Sequence, residues 1–195
     1  RGVQLVDEQL GGLVPATVST ADLAAVEPDT GYTPWGLEGL RQALADEVTS
    51  WGLPTRAEEV VVTTGAQQGL SAAVASWVRP GDVVVVEDPT YPGAVAALGA
   101  AGAEVVGVPV DRDGVDVEAL ADAVERHGPA LVYLQPTVHS PTGALLSARR
   151  RRDVAALVAA ARVPLVEDHA LAALGWRSPP PPVAAADPDL PVAVV

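Results

Sequence analysis

An α/β fold, a mostly parallel sheet with helices on both faces, is what this sequence predicts, and three observations carry that reading. From about residue 37 onward, segments of helical period alternate with short apolar segments of strand length, with no repeat longer than that unit. The apolar segments are continuous runs, such as the four valines at 83–86, rather than alternating patterns, as expected of strands buried on both faces. The 195 residues are 49% hydrophobic yet contain no Phe, Met or Cys, so the core has to be built from Val, Leu and Ala. Ala-rich helices laid against a buried sheet suit that composition.

The elements follow in order. Leu37, Leu40, Leu44 and Val48 share one helical stripe and mark the first helix. Residues 60–62 read as a short apolar strand, and residues 67–78 return to helical period. Arg79-Pro80-Gly81-Asp82 is a turn, because Pro presets φ and Gly supplies the positive φ that such turns use. It leads into the strand at 83–86. An Ala-rich helix over 92–101 is closed by Gly102, and a strand over 104–110 precedes the turn Asp111-Arg112-Asp113-Gly114. Then come a helix over 116–127, a strand over 130–134, a loop, a helix capped by Ser147 and a strand over 163–166. Prolines 179–182 form a short polyproline spacer before a final strand at 192–195. Residues 1–36 are less regular and read as an N-terminal arm, with 37–195 as a single domain. The chain stops in what reads as the middle of a strand, so a fragment of a longer domain is expected.

Charge and composition exclude several classes. A net charge of −13 argues against this segment gripping a nucleic-acid backbone. The one basic run, Arg149 to Arg152, points in different directions at helical spacing and is expected to be a solvated helix start. No apolar run approaches the ~20 residues of a membrane span, and no signal peptide is visible, so a cytoplasmic protein without membrane contact is the expectation. Without Cys there are no disulfides, thiol nucleophiles or Cys-based metal sites, and His127, His139 and His169 have no metal-site spacing. No G-x-G-x-x-G or G-x-S-x-G occurs, and a Walker A loop is impossible because all twelve basic residues are Arg.

Parallel sheets place their ligands beyond the carboxyl ends of the strands, and four such loops stand out. Thr63-Thr64-Gly65-Ala66-Gln67-Gln68 joins a strand to a helix, so the free amides of Gly65, Ala66 and Gln67 form an N-terminal anion site, although small residues there also serve an ordinary tight turn. Glu87-Asp88-Pro89-Thr90-Tyr91-Pro92-Gly93 sets an aromatic ring at the mouth of the next unit, to stack on a planar ligand or to cover the core. Pro136-Thr137-Val138-His139-Ser140-Pro141-Thr142-Gly143 is a rigid polar loop. Glu167 and Asp168 end a buried strand, and one of them must face the ligand edge, as the partner of a ring N–H cation or simply as a helix cap.

In combination these loops resemble the pyridoxal-phosphate-dependent aminotransferases of fold type I, class I/II, and especially the aminotransferase-like domain of MocR-type members of the GntR regulator family. The matching stretches are Gly31-Tyr32-Thr33-Pro34-Trp35-Gly36-Leu37 with Leu40-Arg41, Thr64-Gly65-Ala66-Gln67-Gln68-Gly69-Leu70, Pro80-Gly81-Asp82, Glu87 to Gly93, Pro141-Thr142-Gly143 and Glu167-Asp168. The resemblance implies that backbone amides at Gly65, Ala66 and Gln67 hold the phosphate of pyridoxal 5'-phosphate, that Tyr91 stacks on its ring and that Asp168 pairs with the ring nitrogen. It also implies that Tyr32 reaches the phosphate of a neighbouring subunit, hence a homodimer. The family has Asn just before Pro-Thr-Gly, to hydrogen-bond the cofactor's phenolic oxygen, where this chain has Ser140. It often has Tyr shortly after the ring-pairing Asp, where this chain has Ala170 and Leu171. The family's Schiff-base lysine has no counterpart in this chain, so the chain by itself is expected to be inactive.

Three functional expectations follow from the resemblance. The first is amino-group transfer between an amino acid and a 2-oxo acid in a longer parent protein. The second is a cofactor-binding effector sensor in a MocR-type transcription regulator, whose separate upstream domain binds DNA. The third is a cofactor-free scaffold, the reading that Ser140 and Ala170 favour.

Overall fold

Two neighbouring parallel strands, β1 (Val83–Asp88) and β4 (Leu131–Leu134), form the centre of the molecule. The structure, a computed structural model, describes residues 32–172, 179–187 and 190–195. β2 (Glu104–Asp111) and the two-residue β3 (Gly114–Val115) lie on one side of the centre, and β5 (Leu165–Glu167) and β6 (Val192–Val194) on the other. The order is β3-β2-β1-β4-β5-β6, parallel throughout except for the β2–β3 hairpin. Five helices accompany the sheet among the described residues: α1 (Glu38–Ser50), α2 (Ala66–Trp77), α3 (Pro92–Ala100), α4 (Val117–His127) and α5 (Ala148–Ala161). None of them is long and apolar enough to cross a membrane.

Side-chain alternation along the strands divides the core in two. Val84, Val86, Leu131, Tyr133 and Val166 pack on one face against Leu70 and Val74 of α2 and Leu98 of α3. Val85, Val132, Leu134 and Leu165 pack on the other against Leu120 and Val124 of α4 and Val154 and Val158 of α5. The helices on both faces are therefore those the composition called for. Local chemistry sets their ends: the Asp116 carboxylate accepts the Glu118 and Ala119 amides at the start of α4, and the Ser147 hydroxyl accepts the Arg150 amide at the start of α5. α4 closes on Gly128 at φ 52, a left-handed position that costs glycine little.

Two expectations are corrected, for residues 60–62 and for the arginine run. Residues 60–62 form no strand; the Val60 amide donates to the Ala57 carbonyl at 3.1 Å, the Val62 amide to the Trp35 carbonyl at 2.9 Å, and the Val60 carbonyl accepts Arg41 Nε at 2.9 Å. An apolar run becomes a strand only where another strand is in register beside it, and none lies there among the described residues. The Leu37–Leu40 part of the first helical stripe is exposed and Leu44 and Val48 are half-buried; Ala45 is the one fully buried residue of α1. The sheet does not extend beneath that stripe. The arginine run is only half solvated. Arg150 grips both carboxylate oxygens of Asp111, at 2.7 and 2.8 Å, and Arg151 is 6% exposed, donating to the carbonyls of Leu146, Pro136 and Pro181. Helical spacing sends consecutive side chains in different directions, and these two meet fixed acceptors. The arm expected over residues 1–36 lies mostly outside the described residues.

Glu167, at the end of β5, is fully buried, and its two oxygens accept the amides of Val183 and Ala184 at 2.7 and 2.8 Å. A buried carboxylate thus caps the 3-10 turn Val183–Ala186 and ties the segment leading to β6 onto the sheet. Glu167→Ala leaves two buried amides without an acceptor, at about 1–3 kcal/mol each. A loss of about 2–5 kcal/mol in urea-unfolding free energy is expected, and a loss below about 1 kcal/mol would mean that the cap is replaceable.

Candidate functional site

In the strand order, connections leave β1 toward β2 while β4 sits on the other side of β1, the kind of switch point outside whose strand ends a crevice opens. The loops after β1, β4 and β5 meet there the start of α2. Gly65 is the N-cap of α2, at φ 138, and offers no side chain to the first turn. The Ala66 and Gln67 amides accordingly donate to no acceptor among the described residues. The Gln67 side chain instead reaches the loop after β1, donating to the Gly93 carbonyl at 3.0 Å. Gly93 is required by space: a Cβ there would overlap the Tyr91 ring and the Gln67 side-chain oxygen.

Ala66, Gln67, Tyr91, Ser140 and Asp168 line one cavity of about 240 Å³. Five of the seven residues singled out from the sequence are therefore brought together. Gly65 belongs as the cap of the helix concerned, while Tyr32, 81% exposed, falls in the segment before the unit that holds the cavity. Leu70, Gln135, Ala170 and Leu171 complete the lining. Leu70 and Gln135 had not been assigned there from the sequence. Leu70 was legible, four residues past Ala66 on the same helix face; Gln135 was not, since nothing local says which way a residue just past a strand end turns. A larger groove of about 440 Å³ opens at the end of β2, lined by Asp111 and Arg112 together with Thr142 of the loop after β4.

Asp168 is buried, with Oδ2 accepting the Tyr133 hydroxyl at 2.6 Å and Oδ1 the Ala170 amide at 2.9 Å. Both bonds fix the direction in which the carboxylate points. Burial first, and then the Asp168 charge, raise the Tyr133 hydroxyl far above its ordinary range, so Tyr133 stays a donor. Behind them lies Glu87, whose Oε2 accepts the Gln135 amide at 2.7 Å. Burial, reinforced by the Asp168 charge, pushes Glu87 up to about 7. His139 Nε2 stands 3.6 Å from that carboxylate, and Nδ1 shares a 2.7 Å hydrogen bond with Thr142. Burial lowers the His139 pKa and favours the neutral ring. The cavity can thus hold an anion at the helix end and a cationic ring N–H at Asp168, with an aromatic ring at Tyr91 between loops.

Comparison with known proteins bears on these residues. The family described as "Aminotransferase class I and II" matches residues 3–195. An uncharacterized HTH-type transcriptional regulator, YisV of Bacillus subtilis (strain 168), is 28% identical over 173 residues, covering 87% of this chain and 36% of that protein. An archaeal alanine:glyoxylate aminotransferase has a crystal structure that superposes with a TM-score of 0.80 at 28% identity, over 96% of this chain and 47% of that one. LysN, the alpha-aminoadipate aminotransferase of Thermus thermophilus complexed with N-(5'-phosphopyridoxyl)-L-leucine, superposes with a TM-score of 0.67 at 30% identity, over 76% of this chain and 39% of that one. The chain spans about a third of the length of the curated relatives it matches.

The Glu87 carboxyl gives a test of this electrostatic arrangement. Its pKa is raised from 4.5 to about 7 on folding, so between those values the folded chain binds more protons than the unfolded one. Its contribution to stability is therefore present below the unfolded pKa and lost as pH rises through the folded one, with a ceiling of about 3 kcal/mol. Glu87→Gln removes this titration while keeping an oxygen for the Gln135 amide. Urea-unfolding free energies at about pH 5 and about pH 8 should show the variant gaining on the parent at the higher pH. Parallel pH profiles for the two proteins would rule out a titrating Glu87.

Proposed function

The chain belongs to the class I and II aminotransferases, and from that premise we propose that it is the cofactor-binding part of a pyridoxal 5'-phosphate-dependent enzyme that moves an amino group between an amino acid and a 2-oxo acid. The observation that carries the proposal is the single cavity lined by Ala66, Gln67, Tyr91, Ser140 and Asp168. Its donor set suits the cofactor: uncommitted amides at a helix start for a phosphate, and a carboxylate fixed by two hydrogen bonds for a ring nitrogen.

When bound, the cofactor's protonated ring supplies an electron sink for bond breaking at the amino acid's α-carbon. The chain's own residues do the rest of the holding. Amides of Ala66 and Gln67 take the phosphate, aided by the α2 dipole. Asp168 pairs with the ring nitrogen, and Tyr133 and the Ala170 amide aim its carboxylate. Tyr91 supplies the stacking face, and Leu70 and Leu171 an apolar wall. The sequence contains no lysine, so the amine that carries the cofactor is assigned to another part of the protein. Tyr32 is assigned to the phosphate of a second subunit in a homodimer, and its exposure is compatible with that role.

The HTH-type regulator among the relatives favours a second reading, in which the same cavity senses an amino acid for a DNA-binding domain. A helix-turn-helix in the same polypeptide, with DNA affinity that changes on adding pyridoxal 5'-phosphate and amino acids, would select it. Pyridoxamine 5'-phosphate, whose binding needs no lysine, tests the cavity itself by equilibrium dialysis. Asp168→Ala should weaken that binding roughly ten- to a hundredfold, the worth of one hydrogen bond to a charged group. In the whole protein the same substitution should cost transaminase activity by orders of magnitude. Unchanged binding in Asp168→Ala would remove Asp168 from the ring nitrogen.

A further inference from the structure

We infer that Gln135 is the donor to the ring hydroxyl of the bound cofactor, filling the role of the Asn that precedes Pro-Thr-Gly in the family and that Ser140 replaces here. The inference rests on the cofactor reading above and goes beyond it by naming a positioning residue. Gln135 directly follows β4, is 4% exposed and lines the cavity beside Ser140. Two contacts pin it. Its backbone amide donates to Glu87 at 2.7 Å, and its side-chain oxygen accepts the Ser140 backbone amide at 3.2 Å.

The second contact decides the direction of the carboxamide. A backbone N–H only donates, so the atom facing it is Oε1, and the Nε2 donors face away from Ser140 N. Nε2 makes no hydrogen bond among the described residues, yet it is not one of the sealed, unpartnered polar atoms, so it is open to the cavity that Gln135 lines. The longer Gln side chain thereby brings a carboxamide to position 140, where Ser140 itself is too short to supply one. Of the other polar groups of the cavity, the Ala66 and Gln67 amides are assigned to the phosphate and Asp168 to the ring nitrogen. The ring hydroxyl oxygen, an acceptor when ionised, is the group left for an amide donor.

Pyridoxamine 5'-phosphate binding to the full chain tests this, read by dialysis and by the pH dependence of the bound probe's absorption. Gln135→Met keeps the length and removes the donor. It should raise the dissociation constant roughly ten- to a hundredfold and move the hydroxyl's titration to higher pH, because the donor favours the ionised oxygen. Ser140→Asn added to Gln135→Met should restore both values. Gln135→Glu, which still accepts the Ser140 amide but offers no donor when ionised, should repeat the loss, and it serves if the Met variant fails to fold. Tight binding by the parent with unchanged affinity and titration in both Gln135 variants would overturn the inference and leave the cofactor reading intact. Absence of saturable binding by the parent would overturn both.

Discussion

Consecutive residues at the end of a strand face opposite layers, and in this molecule the fold and the candidate site share one such junction. Glu167 points into the α4–α5 layer and is consumed by the amides of Val183 and Ala184, while Asp168 points the other way to meet Tyr133 and the cavity. The parity is the same one that sends Leu165 to one core and Val166 to the other. A one-residue slip of β5 would exchange the two carboxylates, costing the cap and the site together. The register Tyr133 to Val166 and Leu134 to Glu167 is thus a functional quantity as well as a structural one.

Behind the cavity, buried acidic groups crowd together. Glu87, Asp168 and Tyr133 share a region too dry for two carboxylates and a phenolate, and Glu87 is the group pushed toward neutrality. His139 beside it is favoured in its neutral form. Asp168 accepts two hydrogen bonds, from the Tyr133 hydroxyl and the Ala170 amide. Asp168 thus lines the cavity together with a helix start whose dipole favours an anion.

Arg151 connects this site to the far side of the sheet. By donating to the carbonyls of Pro136, Leu146 and Pro181 it fastens both ends of the loop that carries Ser140 and the segment that Glu167 caps. Burial lowers its pKa and the Glu167 charge opposes that fall. His169 adds to the same cluster, between Thr137 and Glu167 and stacked on Trp51 at 5.8 Å. Rigidity of the polar loop after β4 comes from this buried network as much as from its two prolines.

The sequence by itself determined the layer architecture, the cap at Ser147, the turn glycines and the ordered loops that identify the family. Each of these depends on contacts within about four residues or on the apolar period of one segment, which adjacent residues specify. Tertiary structure alone decided that residues 60–62 stay outside the sheet, that the Leu37 stripe is left bare, that Arg151 goes inside and that Glu167 is consumed by the amides of Val183 and Ala184. It also decided the direction of the Gln135 carboxamide, through a bond to Ser140. Those outcomes turn on which strand or loop lies alongside, and such partners lie far away in the chain or across the sheet, beyond anything local periodicity encodes.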